Sequence, residues 1–240
     1  MTTFDRILAV DTSSLVQSIA IVDGDLLLAE RTLKTRRGHS GALLAAIDAM
    51  LRDVRLTATD LDLLVCGAGP GSFTGLRIGL ACLKAIAFAQ QIPLVTQSSL
   101  HALAWSALPA QGLLVPLVDA RKGELYMGLY RSGGDRVEAV MSDRALPPEA
   151  FRETLEPYRA AAEEPIFLLG SGLHRYAEAV QNGLADFPSV IALGLGFDHV
   201  RAVHLVRLVR MQPTLEIPPL DTLEPNYQRA SDAELHVRTS

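Results

Sequence analysis

Between Gly67 and Gly79 the chain reads GAGPGSFTGLRIG, five glycines and a proline in thirteen residues. That density excludes a regular element. It predicts a tight turn from an apolar strand, Leu63 to Cys66, into a long apolar helix from about Thr74 to Gln91. Backbone N–H groups left uncovered at a helix N-terminus hold anions, so Gly69, Gly71 and Ser72 are candidate phosphate contacts. A second candidate is Asp11-Thr12-Ser13-Ser14, at the end of the apolar run that starts at Ile7. There Asp11 could hold hydrated magnesium, while Thr12 and Ser13 let backbone approach phosphate. The same residues would equally close a turn through side-chain-to-backbone hydrogen bonds.

Other chemistries find less support. The histidines (His39, His101, His174, His199, His204 and His236) form no His-x-x-x-His or His-Glu-x-x-His pattern. Cys66 falls in the strand and Cys82 in the apolar helix, with neither metal-ligand spacing nor a disulfide framework. Buried free thiols in a reducing compartment are expected. A net charge of −5 argues against independent binding to nucleic acid, which needs a clustered basic surface. Met1 to Arg6 carries an acid and leads straight into a strand, unlike a signal peptide. The segment Leu76 to Ala89 is interrupted by Arg77 and Lys84 and is expected to be too short for a bilayer. The expectation is a soluble cytoplasmic protein with no membrane partner.

These candidates need elements to position them. Ile7 to Asp11 reads as a buried strand and Gln17 to Val22 as the next. Asp23-Gly24 is a hairpin signal before a third strand, Leu26 to Glu30. A helix from about Ser40 to Val54 carries Leu43, Leu44, Ile47, Met50, Leu51 and Val54 on one face. After the glycine loop and its helix come a short strand, Pro93 to Thr96, and a helix from Ser98 to Leu108 capped by Ser98. The second half repeats the plan. Strands at Leu114 to Asp119, Glu124 to Arg131 and Arg136 to Met141 precede a helix from about Pro148 to Ala162. A strand at Ile166 to Leu169 then runs into Gly170-Ser171-Gly172 and another helix, mirroring Gly67-Ala68-Gly69. A final helix, about His199 to Met211, precedes a Pro-rich tail. The expected domains are lobes at 1–108 and 109–212, with an extended tail at 213–240.

Duplicated β-β-β-α-β-α lobes are the plan of the α/β actin-like ATPase fold. Three motifs make the likeness specific: ILAVDTS at Ile7–Ser13, GPGSFTGLRIG at Gly69–Gly79, and DARKGELY at Asp119–Tyr126. Together they resemble the TsaB family, required for making threonylcarbamoyladenosine next to the anticodon of certain tRNAs. The resemblance runs through most of residues 5–131 and returns weakly at Pro225-Asn226-Tyr227-Gln228-Arg229.

The resemblance implies a non-catalytic scaffold. An actin-like kinase needs phosphate turns in both lobes, and Asp119 is followed by Ala120-Arg121-Lys122-Gly123-Glu124, not by glycine and Ser/Thr. The adenosine-seating Gly-Gly pair is also missing, Gly194-Leu195-Gly196 being the nearest candidate. The catalytic relative TsaD carries two metal-binding histidines four residues apart on the helix after the short strand. Ser99 and Leu103 stand at those positions here. The family therefore implies binding to TsaD, with the ATPase TsaE, while ATP, metal and tRNA contact reside in the complex. It also implies that the helix after the glycine loop pairs, with the helix before it, with TsaD or a second TsaB. Gly75, Gly79, Cys82 or Ala81, Ala85 and Ala89 set small residues along that helix. The interface residues so implied are Leu43, Ile47, Met50, Leu51, Leu76, Leu80, Lys84 and Ala87. The rival readings are an autonomous phosphotransferase or ATPase using Asp11, and a glycoprotease-type peptidase.

Overall fold

The computed structural model describes residues 4–35, 42–159 and 164–228. β1 (Arg6–Asp11) places five consecutive buried residues at the centre of a five-stranded sheet. β2 (Val16–Asp23) lies antiparallel on one side of it, and β4 (Leu63–Gly67) parallel on the other. Such unbroken apolar runs suit strands covered on both faces. β3 (Leu26–Lys34) and β5 (Leu94–Gln97) complete the order β3-β2-β1-β4-β5. The helices of this half are α1 (Leu43–Asp53), α2 (Phe73–Gln90) and α3 (Ser99–Trp105). Leu43, Ile47, Met50 and Leu51 of α1 and Leu80, Leu83 and Ala87 of α2 pack on Leu8, Val10, Ile19, Ile21, Leu64 and Cys66 of the sheet.

The second half follows the same order. β6 (Gln111–Arg121), β7 (Glu124–Gly133) and β8 (Val137–Leu146) form antiparallel neighbours. α4 (Phe151–Arg159) leads to β9 (Ile166–Leu169), parallel to β6. α5 (Gly172–Arg175) and α6 (Ala177–Gly183) lead to β10 (Val190–Ala192), parallel to β9. Read from its hairpin side this sheet runs β8-β7-β6-β9-β10, strand for strand the order of the first. The duplicated α/β plan is that of the actin-like fold. Its own core gathers Leu117, Leu125, Met127, Leu129, Phe151 and Leu155.

Several expected boundaries move. The helix expected from Pro148 begins at Phe151 after a 3-10 turn, Pro148–Ala150. The helix after Gly170-Ser171-Gly172 breaks at Tyr176. β10 was not anticipated, because three residues after Pro188 give no usable alternation. The helix capped by Ser98, whose Oγ accepts the His101 N–H at 3.0 Å, stops at Trp105 and not at Leu108. Ser40, Ala160 to Ala162 and Arg229, all included in expected segments, lie outside the described residues, as do His39 and His236. α2 has the expected length, shifted by one residue. At 18 residues it is long and apolar enough by length and composition to cross a bilayer. Its Leu76, Leu80, Leu83 and Ala87 are instead packed within the fold.

The domain boundaries change as well. The chain forms two compact units, Met1–Ala102 with His199–Pro225, and Leu103–Asp198 with Asn226–Ser240. α7 (Ala202–Arg210), expected in the second lobe, belongs to the first. Its Ala202 N–H donates to Ser18 Oγ at 2.8 Å, and Arg201 pairs with Glu30 of β3. The tail after it is not free either, because Leu220 and Leu223 pack into the core of the first unit. An amphipathic stripe shows that a helix covers a sheet, not which of two sheets it covers.

Candidate functional site

β1 carries Asp11 out of the sheet centre into a turn where it is 1% exposed. Its Oδ1 accepts the Ser13 N–H at 3.0 Å and the Ser13 hydroxyl at 2.7 Å. Its Oδ2 accepts the Ser99 hydroxyl, at the start of α3, at 2.6 Å. Ser99 Oγ in turn accepts the Gly69 N–H at 3.1 Å. Asp11 thus ties the β1 turn, the glycine loop and α3 together inside the first unit. Both carboxylate oxygens accept hydrogen bonds from the chain itself, the geometry of the turn-closing role.

The glycine loop is likewise filled from within. Ser13 carbonyl accepts the Ser72 N–H at 2.6 Å, and Ser72 Oγ caps α2 by accepting the Gly75 N–H at 3.3 Å. Thr12 Oγ1 donates to the Gly75 carbonyl at 2.8 Å. A Cβ at Gly71 would fall within 3.0 Å of the Ser13 carbonyl oxygen, and one at Gly75 equally close to that of Thr12. Gly67 and Gly79 meet Asp11 and Thr12 in the same way. The four-residue spacing of these glycines therefore seats the Asp11–Ser13 turn along the loop and the first turn of α2. The structure brings together all six phosphate-loop candidates, Asp11, Thr12, Ser13, Gly69, Gly71 and Ser72, and Asp11, Thr12, Ser13, Gly69 and Ser72 share the hydrogen bonds just described. Of the small-residue stripe, Gly75 and Gly79 face Thr12, while Ala81, Ala85 and Ala89 are exposed.

The corresponding turn of the second unit has different chemistry. Asp119 Oδ1 accepts the Arg121 N–H at 2.8 Å and lies 3.2 Å from the Tyr176 hydroxyl, while Oδ2 pairs with Arg175 at 3.6 Å. Arg121 and Lys122 adopt left-handed backbone, at φ 62° and 52°, and point exposed side chains from the turn. On α3, Ser99 is engaged with Asp11 and Leu103 is fully buried. Among the described residues no group of three His, Cys, Asp or Glu is placed to hold a metal. Burial raises both thiol pKa values, most strongly for Cys66, so neither is a thiolate at neutral pH.

The expected helix interface turns inward. Leu43, Ile47, Met50, Leu51, Leu76, Leu80 and Ala87 are all buried in the chain's own core, and of the eight only Lys84 reaches solvent. Leu44, expected on the same face of α1 as Leu43, Ile47, Met50 and Leu51, is 59% exposed. The outward side of α2 instead carries Arg77, Ala81, Ala85 and Phe88, the last 73% exposed. Arg77 lies over the Phe73 ring, 3.8 Å from its centroid. A signal for this face was present in the sequence. Arg77 and Lys84 are the helix's charged residues, seven apart, and mark the solvent side.

Residues 27–204 match the family model described as TsaD: tRNA N6-adenosine threonylcarbamoyltransferase. The tRNA threonylcarbamoyladenosine biosynthesis protein TsaB of Bacillus subtilis (strain 168) is 30% identical over 95% of this chain and 96% of its own length. The TsaB of Haemophilus influenzae is 34% identical over 89% and 92%. Among solved structures, YeaZ from Pseudomonas aeruginosa superposes with a TM-score of 0.77 at 26% identity, over 93% of this chain and 99% of that one. A second Pseudomonas aeruginosa structure, described as an uncharacterized protein with similarity to peptidase YEAZ, gives 0.78 at 27% identity over 94% and 100%.

Proposed function

The chain belongs to the TsaB family of tRNA threonylcarbamoyladenosine biosynthesis proteins, and from that membership we propose that it is the non-catalytic scaffold subunit of the transfer complex. In this reading it binds TsaD and, together with TsaE, supports transfer of the threonylcarbamoyl group to the adenosine next to the anticodon. ATP and metal sit on the partner subunits, tRNA is reached through the complex, and the assembly works in the cytoplasm.

The observation that carries this reading is the contrast between two places. Where an actin-like enzyme keeps its first phosphate turn, Asp11, Ser13 and Ser72 spend their polar groups on one another. On α1 and α2, by contrast, large apolar side chains, Leu44 and Phe88, stand in solvent. These exposed side chains support the reading that this side of the helix pair meets another protein. The test is a pair of calorimetric titrations of the purified chain, one with TsaD and one with magnesium-ATP. The scaffold reading expects heat from TsaD and none from ATP. Magnesium-dependent ATP binding by the chain alone, lost in Asp11→Ala, would overturn it in favour of a phosphotransferase.

A further inference from the structure

In the second unit β6 and β7 close into a tight hairpin. Arg121 stands opposite Glu124, so Lys122 and Gly123 form its two-residue loop. Both have positive φ, 52° and 86°, the kind of turn that favours Asn-Gly. Arg121 adds a third left-handed residue at φ 62°. Such backbone is unfavourable for most side chains, and glycine or asparagine would relieve it. Two long cations hold these positions instead, and both are exposed. The neighbouring acids turn toward the frame. Asp119 accepts the Arg121 N–H and pairs with Arg175 of α5, while Glu124 is half-buried. Arg175 is itself exposed, as is His174 before it. The tip is open, because a Cβ at Gly123 would meet nothing within 4 Å. Among the described residues, none of the exposed large apolar side chains lies within 119–124 or 172–178.

Resting on the reading that this chain works inside a tRNA-modifying complex, we propose that the Arg121–Lys122 turn, flanked by Arg175, contacts the phosphate backbone of RNA. Guanidinium and ammonium groups on an open tip suit phosphate oxygens, which need no pocket. An acidic protein would need an apolar centre for its contact, and this turn presents none. A lone nucleotide would need enclosing backbone donors, and the Arg121 N–H already serves Asp119. About two or three phosphate contacts are too few for a chain of net charge −5 to hold RNA by itself. Within the complex they add to other contacts, at the high effective concentration that linkage provides. Phosphate contacts carry no base information, so the turn positions the RNA and does not select it.

The experiment compares wild type, the double variant Arg121→Asn/Lys122→Asn and Arg55→Asn, each as the full chain in complex with TsaD and TsaE. Asparagine tolerates left-handed backbone, so all three chains are expected to melt together. Arg55, exposed in the first unit at φ 58°, controls for losing a cation from the same kind of position. Affinity for a tRNA with adenosine next to its anticodon is measured from about 50 mM to about 200 mM salt. The double variant should bind roughly fivefold or more weakly at low salt. Its slope of log affinity against log salt should be shallower by roughly 2, about 1 for each cation lost. Arg55→Asn should match wild type, and affinities for TsaD, TsaE and magnesium-ATP should not move. Unchanged tRNA affinity and slope in a double variant that still joins the complex would overturn the RNA contact and leave the scaffold reading standing. Equal losses in both variants would make the effect diffuse charge and overturn it as well. So would tRNA binding that holds while TsaE or ATP binding falls, which would make the turn a protein or nucleotide contact. A wild-type chain that forms no complex with TsaD would overturn both readings.

Discussion

Gly75 lies in the first turn of α2 with the Thr12 carbonyl where a side chain would begin. In an ordinary helix, replacing glycine with alanine stabilises by about 1 kcal/mol. Here the new methyl collides with backbone that cannot rotate away, and overpacking of that kind costs about 1–3 kcal/mol. The collision should win, so Gly75→Ala is expected to lower stability by about 1–2 kcal/mol in urea denaturation. His204 provides a second test at this scale. It is 4% exposed with both ring nitrogens unpartnered, and burial, reinforced by Arg207 and Arg201, depresses its pKa to about 3. The unfolded chain, with a histidine pKa near ~6.5, then binds the proton that the folded one refuses. Stability should therefore be full above about pH 6.5 and fall as pH drops toward about 3. His204→Leu should flatten that part of the stability curve between about pH 6.5 and about pH 5, before carboxylates titrate. An unchanged slope would remove His204 from the acid response. The glycine motif was legible as a sharp strand-to-helix turn. What fills it was not, because donors at a helix start look the same whether an anion or the Ser13 carbonyl takes them.

α1 and α2 were legible as apolar helices from their periodicity, yet the inward and outward sides were exchanged. Leu80 and Ala87 lie in the core, while Phe88 and Leu44 stand out. Nearly continuous apolar composition blurs the helical moment of α2, and only Arg77 and Lys84 break the tie. The two sides predict opposite behaviour. Leu80→Arg should cost several kcal/mol by burying a charge in the unit's own core, visible as a collapse of the melting transition. Phe88→Ser should leave stability within about 0.5 kcal/mol, as surface changes do. The strap after α7 makes a further prediction. Leu223 is 6% exposed within the first unit's core, so Leu223→Ala should cost about 2–3 kcal/mol. A free tail would show no change. Nothing in the run Pro213 to Pro225 gave that packing away, because an extended segment has no period to reveal its buried positions.

Two sheets with the same strand order carry the duplication that the repeated hairpins and the paired Gly67-Ala68-Gly69 and Gly170-Ser171-Gly172 turns made legible. The return of residues 199–225 to the first unit was not legible, since chain order alone assigns them to the second. The duplicated plan has kept its frame while the two turns diverged. One is closed by Asp11, Ser13 and Ser99, the other raised on Asp119 with Arg121 and Lys122 at its tip. On the proposed scaffold reading the chain contributes through contact, and a surface substitution should remove that contact without harming the fold. The most direct test is threonylcarbamoyladenosine formation in a reconstituted reaction of TsaD, TsaE, tRNA, the adenylate-forming enzyme and this chain. Product should be absent without the chain, restored by wild type, and not restored by folded Phe88→Glu. Full activity with Phe88→Glu, or with the chain omitted, would contradict the scaffold account.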